Sequence, residues 1–99
     1  MAAVKKTPNP ALSIDYDAEA DVLYLALGKP RPAEGQDGPN GLVYRYAIDD
    51  NAPCGVTIIG LRRNQWDGKP AELARLIAGH FAVDAGRIRA LLRQSSAAI

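Results

Sequence analysis

From Leu12 to Leu61 apolar residues tend to recur at every second position, and from Leu73 onward they recur every three to four, so the chain divides into a sheet-forming part and a helix-forming part. Leu12, Ile14 and Tyr16 alternate with Ser13 and Asp15 and predict a first strand with one apolar face. Asp17-Ala18-Glu19-Ala20 then makes an acidic turn in which the Asp17 carboxylate can accept nearby backbone N–H groups. Val22 to Leu27 is apolar at every position, the pattern of a strand covered on both faces. Gly28 to Gly41 holds three prolines and four glycines and reads as a flexible connector without regular structure. Leu42, Tyr44, Tyr46 and Ile48 alternate with Val43, Arg45 and Ala47 as a third strand, and Asp49 to Pro53 turns the chain. A fourth strand is expected over Gly55 to Leu61, with Val56 and Ile58 on one side and Thr57, Ile59 and Leu61 on the other.

The period lengthens after a polar link, Arg62 to Lys69. Pro70 suits a first helical position, and Leu73, Leu76, Ile77, His80 and Phe81 share one side of a helix while Glu72, Arg75 and Gly79 lie opposite. Asp84 can N-cap a second helix with Ile88, Leu91, Leu92 and Ser95 on one face and Arg89 and Arg93 on the other. The expected fold class is α+β: a four-stranded antiparallel β-meander sheet followed by two C-terminal α-helices. One domain spans residues 1–99, with a flexible tail over 1–10, the meander over 11–61 and a helical extension over 62–99. Ninety-nine residues are enough for one core without disulfides.

Composition narrows the picture only a little. With 47% apolar and 23% charged residues the chain is too apolar for disorder. A net charge of +1 conceals an uneven distribution: eight acidic and five basic residues up to Gly60, three acidic and seven basic beyond it. The single Cys54 cannot form an internal disulfide, and no apolar run is long enough to be a signal or a membrane span, so a reducing cytoplasm is expected.

Each candidate chemistry meets a specific obstacle. Asp15, Asp17, Glu19 and Asp21 alternate as calcium ligands do, but from Asp15 the sixth position is Ala20 where the EF-hand needs Gly, and the twelfth is Ala26 where it needs Glu. Neither metal nor cofactor is called for. His80, the only histidine, sits near a helix C-terminus where the dipole favours an imidazolium, yet no nucleophile or orienting partner is specified for it. Cys54 has no cationic neighbour or helix N-terminus to activate it. The glycines between Gly28 and Gly41 lack the Gly-Lys-Ser/Thr that a phosphate loop requires. The arginines of the C-terminal third are spread over different helix faces with no interleaved aromatics, which argues against nucleic acid.

Tyr16-Asp17-Ala18-Glu19-Ala20-Asp21-Val22-Leu23-Tyr24-Leu25, followed at a distance by Gly55-Val56-Thr57-Ile58, resembles the signature of a small prokaryotic family called domain of unknown function 2283. The resemblance spans Leu12 to Leu61. It departs at Thr57, where members often carry an acidic residue, and over Trp66 to Ile99, which has no counterpart in short members. No catalytic residues are implied, and some members look like antitoxin partners of small ribonuclease-type toxins, which implies protein binding.

Binding is therefore expected in preference to catalysis. Strand two is apolar on both sides and two helices can cover only one, so the opposite face is expected to meet a copy of itself across a two-fold axis; pairing through the helices is the other route to a homodimer. Tyr24, Tyr44, Tyr46, Trp66, His80 and Phe81 are the candidate interaction residues. The alternative is a small-molecule binder or small enzyme using Tyr44, Arg45, Tyr46 and His80 around a pocket between sheet and helices.

Overall fold

Leu12–Asp17 (β1) and Val22–Leu27 (β2) form a hairpin with Ile14 opposite Leu25 and Tyr16 opposite Leu23. This computed structural model describes residues 11–99, so the tail expected over 1–10 lies outside the described residues. At the hairpin turn the Asp17 carboxylate accepts the N–H groups of Glu19 and Ala20, each at 3.1 Å, as an Asx turn does.

The segment Gly28 to Gly41 is not an irregular connector. Ala33–Asp37 (β3) is an edge strand paired with Leu42–Ala47 (β4), from Ala33 opposite Ala47 to Asp37 opposite Val43. Apolar alternation signals burial, and an outermost strand with four exposed residues, Glu34 to Asp37, is held by backbone hydrogen bonds that need no side-chain pattern. A 3-10 turn, Pro39–Gly41, then reverses the chain. Gly41 has φ +84°, and a Cβ there would lie 2.0 Å from the Ile59 carbonyl oxygen, so only glycine fits this close approach.

Pro53–Ile59 (β5) completes a five-stranded antiparallel sheet of order β1-β2-β5-β4-β3. The expected four-stranded meander is thus corrected twice, in strand number and in order: β5 inserts between β2 and β4. Pairing the two most apolar strands places both in the sheet interior, and the short link from Gly28 to Pro32 carries the chain from β2 to the far edge. The fourth strand expected over Gly55–Leu61 ends instead at Ile59. Gly60, at φ +81°, turns the chain so that Leu61 drops into the core rather than lying beside Ile59.

Asp21 holds this corner. Its carbonyl accepts the N–H groups of Gly60 and Leu61 at 2.8 and 3.1 Å, and its carboxylate accepts those of Arg62 and Arg63 at 3.0 Å each. The Tyr16 hydroxyl donates to the same carboxylate at 2.7 Å. The acidic motif between β1 and β2 therefore serves a joint between the hairpin and the sheet-to-helix link.

Pro70–Phe81 (α1) and Ala85–Gln94 (α2) pack on each other and on one sheet face. Pro70 opens α1 and Asp84 takes the N-cap of α2, though its side chain makes no cap hydrogen bond. Ser95, expected on the apolar face of α2, is its C-cap and donates from Oγ to the Leu92 carbonyl at 2.7 Å. The core joins Leu23, Leu25, Leu42, Val56 and Ile58 from the sheet to Leu61, Trp66, Leu73, Ile77, Phe81, Ile88 and Leu92. Each fully buried aliphatic side chain here contributes about 1.5–3 kcal/mol relative to exposure. Among the described residues the other sheet face carries no layer, so within them β2 is covered on one side only.

Candidate functional site

Two places bring polar and aromatic groups together, one on each sheet face. On the helix side, β4 points Tyr44 and Tyr46 at the last turn of α1, where both ring centroids lie 5.0 Å from the His80 ring. Phe81 follows at 5.4 Å. His80 donates from Nε2 to the Arg45 carbonyl at 3.1 Å. Burial pushes its imidazole below the usual range, and hydrogen bonds to the Arg45 and Gly55 backbone only partly oppose this. Removal from water thus opposes the imidazolium that a helix C-terminus favours. The Tyr44 phenol, by contrast, is raised, first by burial and then by its neighbour Tyr46. A shallow hollow of 270 Å³ opens beside these rings, lined by Tyr44, Tyr46, Leu76, Gly79 and His80. Its lining contains neither a carboxylate nor a serine or cysteine.

On the helix-free face, the registers align three rows of side chains. Asp17, Val22 and Ile59 form the first; Asp15, Tyr24, Thr57, Val43 and Asp37 the second; Ser13, Ala26, Gly55, Arg45 and Gly35 the third. Tyr24 and Ile59 are 46% and 47% exposed, large values for such side chains in mid-sheet. Beside this apolar band lies a hollow of 490 Å³, created by the small third-row residues and bounded by Tyr24, Thr57, Arg45, Pro30 and Arg31. Gly55 is part of its floor: a Cβ there would stand 3.1 Å from the Leu25 carbonyl and 3.6 Å from the Arg45 side chain.

The two arginines of this hollow differ in their partners. Arg31 pairs with Asp49 and Asp50 at 2.5 and 2.8 Å. Arg45 is half-buried, and among the described residues its guanidinium makes one hydrogen bond, a long one of 3.3 Å to the Ala33 carbonyl, and no ion pair.

The six candidate interaction residues do not form one surface. Tyr44, Tyr46, His80 and Phe81 cluster on the helix side, with Phe81 largely in the core. Trp66 is 1% exposed and donates from Nε1 to the Asn40 carbonyl at 2.9 Å, with the Lys69 ammonium 4.8 Å from its ring, so it seals the core where sheet passes to helix. Tyr24 stands alone on the opposite face. Sequence reasoning missed Ser13, Thr57 and Gly55 as lining of a hollow, because only the β2–β5 pairing brings them together; the all-apolar run Val22–Leu27 was the one available signal. Cys54 is buried at the irregularity where β5 departs from register with Arg45 and Tyr46. Among the described residues no group of three or more His, Cys, Asp or Glu is placed to hold a metal, and no helix is long and apolar enough to cross a membrane. Comparison of the chain with protein-family models, with curated proteins and with solved structures gave no match in any of the three.

Proposed function

We propose that this protein is a self-associating interaction module that docks through the helix-free face of its sheet. The observation that carries this reading is the apolar band of Val22, Tyr24, Ala26, Val43 and Ile59 across β2, β5 and β4, with no layer over it among the described residues. Antiparallel sheets with one wet face carry polar residues there; this face instead has an apolar centre and a polar margin, the anatomy of an interface. The resemblance to a family with antitoxin-like members is consistent with protein binding.

Sedimentation equilibrium tests the reading. The wild-type mass should rise with concentration from 10.6 kDa towards twice that value. Ile59→Asp should stay monomeric while keeping its far-ultraviolet dichroism. A constant monomer mass in the wild type contradicts self-association, and a monomer that captures a toxin-like protein from its native cell would reassign the face to that partner.

A second reading has its own observation, the 270 Å³ hollow with two phenols and an imidazole on the helix side. It would take a small uncharged ligand. Gly79 lines this hollow inside α1, where glycine costs about 1 kcal/mol relative to alanine. Gly79→Leu should stabilise the helix and abolish binding in a thermal-shift screen; ligands that bind the variant equally well count against this site.

A further inference from the structure

We propose that the hollow on the helix-free face is completed by a second copy of the chain: Arg45 of each protomer pairs with Asp15 of its partner, giving two reciprocal ion pairs that fix the register of the dimer. This rests on the self-association reading and adds the geometry and the residues that specify it.

The argument begins from the rows. In a face-to-face dimer with two-fold symmetry and aligned strands, the axis lies in the plane between the sheets and runs close to either across the strands or along them. An axis across the strands sets β1 on β1, so Asp15 and Asp17, on the same strand face, would meet their own copies in a closing interface. Like charges held that way oppose association. An axis along the strands, between β2 and β5, keeps each row on its own row and exchanges the columns. Val22 then faces the partner's Ile59, Tyr24 faces the partner's Thr57, and β1 faces the partner's β4. The apolar band is centred on this same β2–β5 seam, so the axis that buries it best is also the one that brings unlike charges together.

In that arrangement Arg45 lies over Ser13 of the partner subunit, and Asp15 of the partner subunit is the next residue on the same strand face, about 7 Å along. Packed sheets stand about 10 Å apart, a gap that an extended arginine crosses. The third row is built from Ala26, Gly55 and Gly35, so the two hollows leave room for both guanidinium groups instead of being closed by bulky side chains. Of the two arginines at this hollow, Arg31 has carboxylate partners in its own chain, whereas among the described residues Arg45 has only the Ala33 carbonyl. β3, with Asp37, overhangs the partner and stays at the rim.

A charge exchange tests this. Arg45→Asp and Asp15→Arg should each weaken dimerisation at least tenfold, and the double variant should recover to within about threefold of wild type, because the reciprocal pairs are restored with opposite polarity. Wild-type association should also weaken with added salt. Equal affinity in the wild type and both single variants, or a double variant no better than the singles, would overturn the pairing while leaving self-association intact. A wild type that never dimerises removes the reading beneath it as well. Should Arg45→Asp fail to fold, the neutral cycle of Arg45→Gln and Asp15→Asn decides: the two substitutions should be non-additive by at least threefold, and simple additivity would refute the pair.

Discussion

The two faces of this sheet are built from the same strands and end in different states. Leu23 and Leu25 on β2 are buried under α1 and α2, while Tyr24 between them is half exposed. The covered face joins large aliphatic residues from five elements into one core, so a change there is felt by the whole molecule. The bare face joins an apolar band to a hollow of small residues and an arginine that makes no ion pair among the described residues, so on the proposed reading a change there should be felt mainly by a partner. The proposed reading thus assigns stability and association to alternate residues of a single strand, a consequence of the two-residue period of β structure.

The largest effect that could break this contrast is a charge on each face in turn. Leu25→Asp should abolish folding, because it buries an unpaired carboxylate in the core, whereas Tyr24→Asp one position away should fold; circular dichroism of both purified variants checks this. A truncation series gives a finer measure. Leu23→Ala should cost about 3 kcal/mol of unfolding free energy through the cavity it leaves, and Tyr24→Ala less than about 1 kcal/mol in dilute monomer, both by urea titration.

The corner at Asp21 sharpens the comparison from the covered side. Asp21→Asn should destabilise by about 1–2 kcal/mol, a modest figure because the carboxylate is partly solvated. The backbone N–H of Arg62, foremost, together with that of Arg63 and the Tyr16 hydroxyl, holds this carboxyl below the ordinary value of 3.8. A folded-state pKa below the unfolded one means that the unfolded chain takes up protons first as pH falls. The stabilisation from Asp21 is therefore complete above about pH 4 and lost below it as pH falls through the folded-state value. Thermal melts across that range should show a steeper acid loss in wild type than in Asp21→Asn, with the exposed Asp50, lowered first by the Ala52 N–H and then by Arg31, adding a shared slope to both.

The smallest expected effect is at His80. Its folded-state pKa is lowered by burial, so the stability linked to its neutral form is complete above the ordinary value of 6.5 and is lost as pH falls from there through the folded value. His80→Gln should flatten the melting temperature between neutral and mildly acid pH; an unchanged slope would place the titration elsewhere.

Much of the helix-covered face was legible in the sequence. Alternation located β1 and β4, the apolar run matched β2 in extent, and the 3.6-residue period with Pro70 and Asp84 marked both helices. These signals report burial, which is why β3 escaped them: its residues are polar and its pairing lies in the backbone. Strand order escaped for a related reason. A buried strand announces that it has neighbours without naming them, so β5 could not be seen to enter between β2 and β4. The bare face was legible only in part. The all-apolar Val22–Leu27 revealed an excess of apolar surface, but the hollow depends on Ser13, Ala26, Gly55 and Arg45 sharing a row, and that row exists only after the β2–β5 pairing is known. Asp21 looked like one more turn acid, since its five hydrogen bonds reach Tyr16 and the link from Gly60 to Arg63.

The claim that one face is closed by the chain itself and the other by a second copy is tested most directly by solvent paramagnetic relaxation of assigned amide and methyl signals. The probe is a soluble gadolinium chelate, compared at micromolar and millimolar protein. The account predicts that Val22, Tyr24, Val43 and Ile59 are attenuated by the probe in dilute solution and become protected as concentration rises. Leu23 and Ile58 should stay protected throughout, and Glu34 and Gln36 on β3 exposed throughout. Attenuation of Val22, Tyr24, Val43 and Ile59 that does not change with concentration would contradict it.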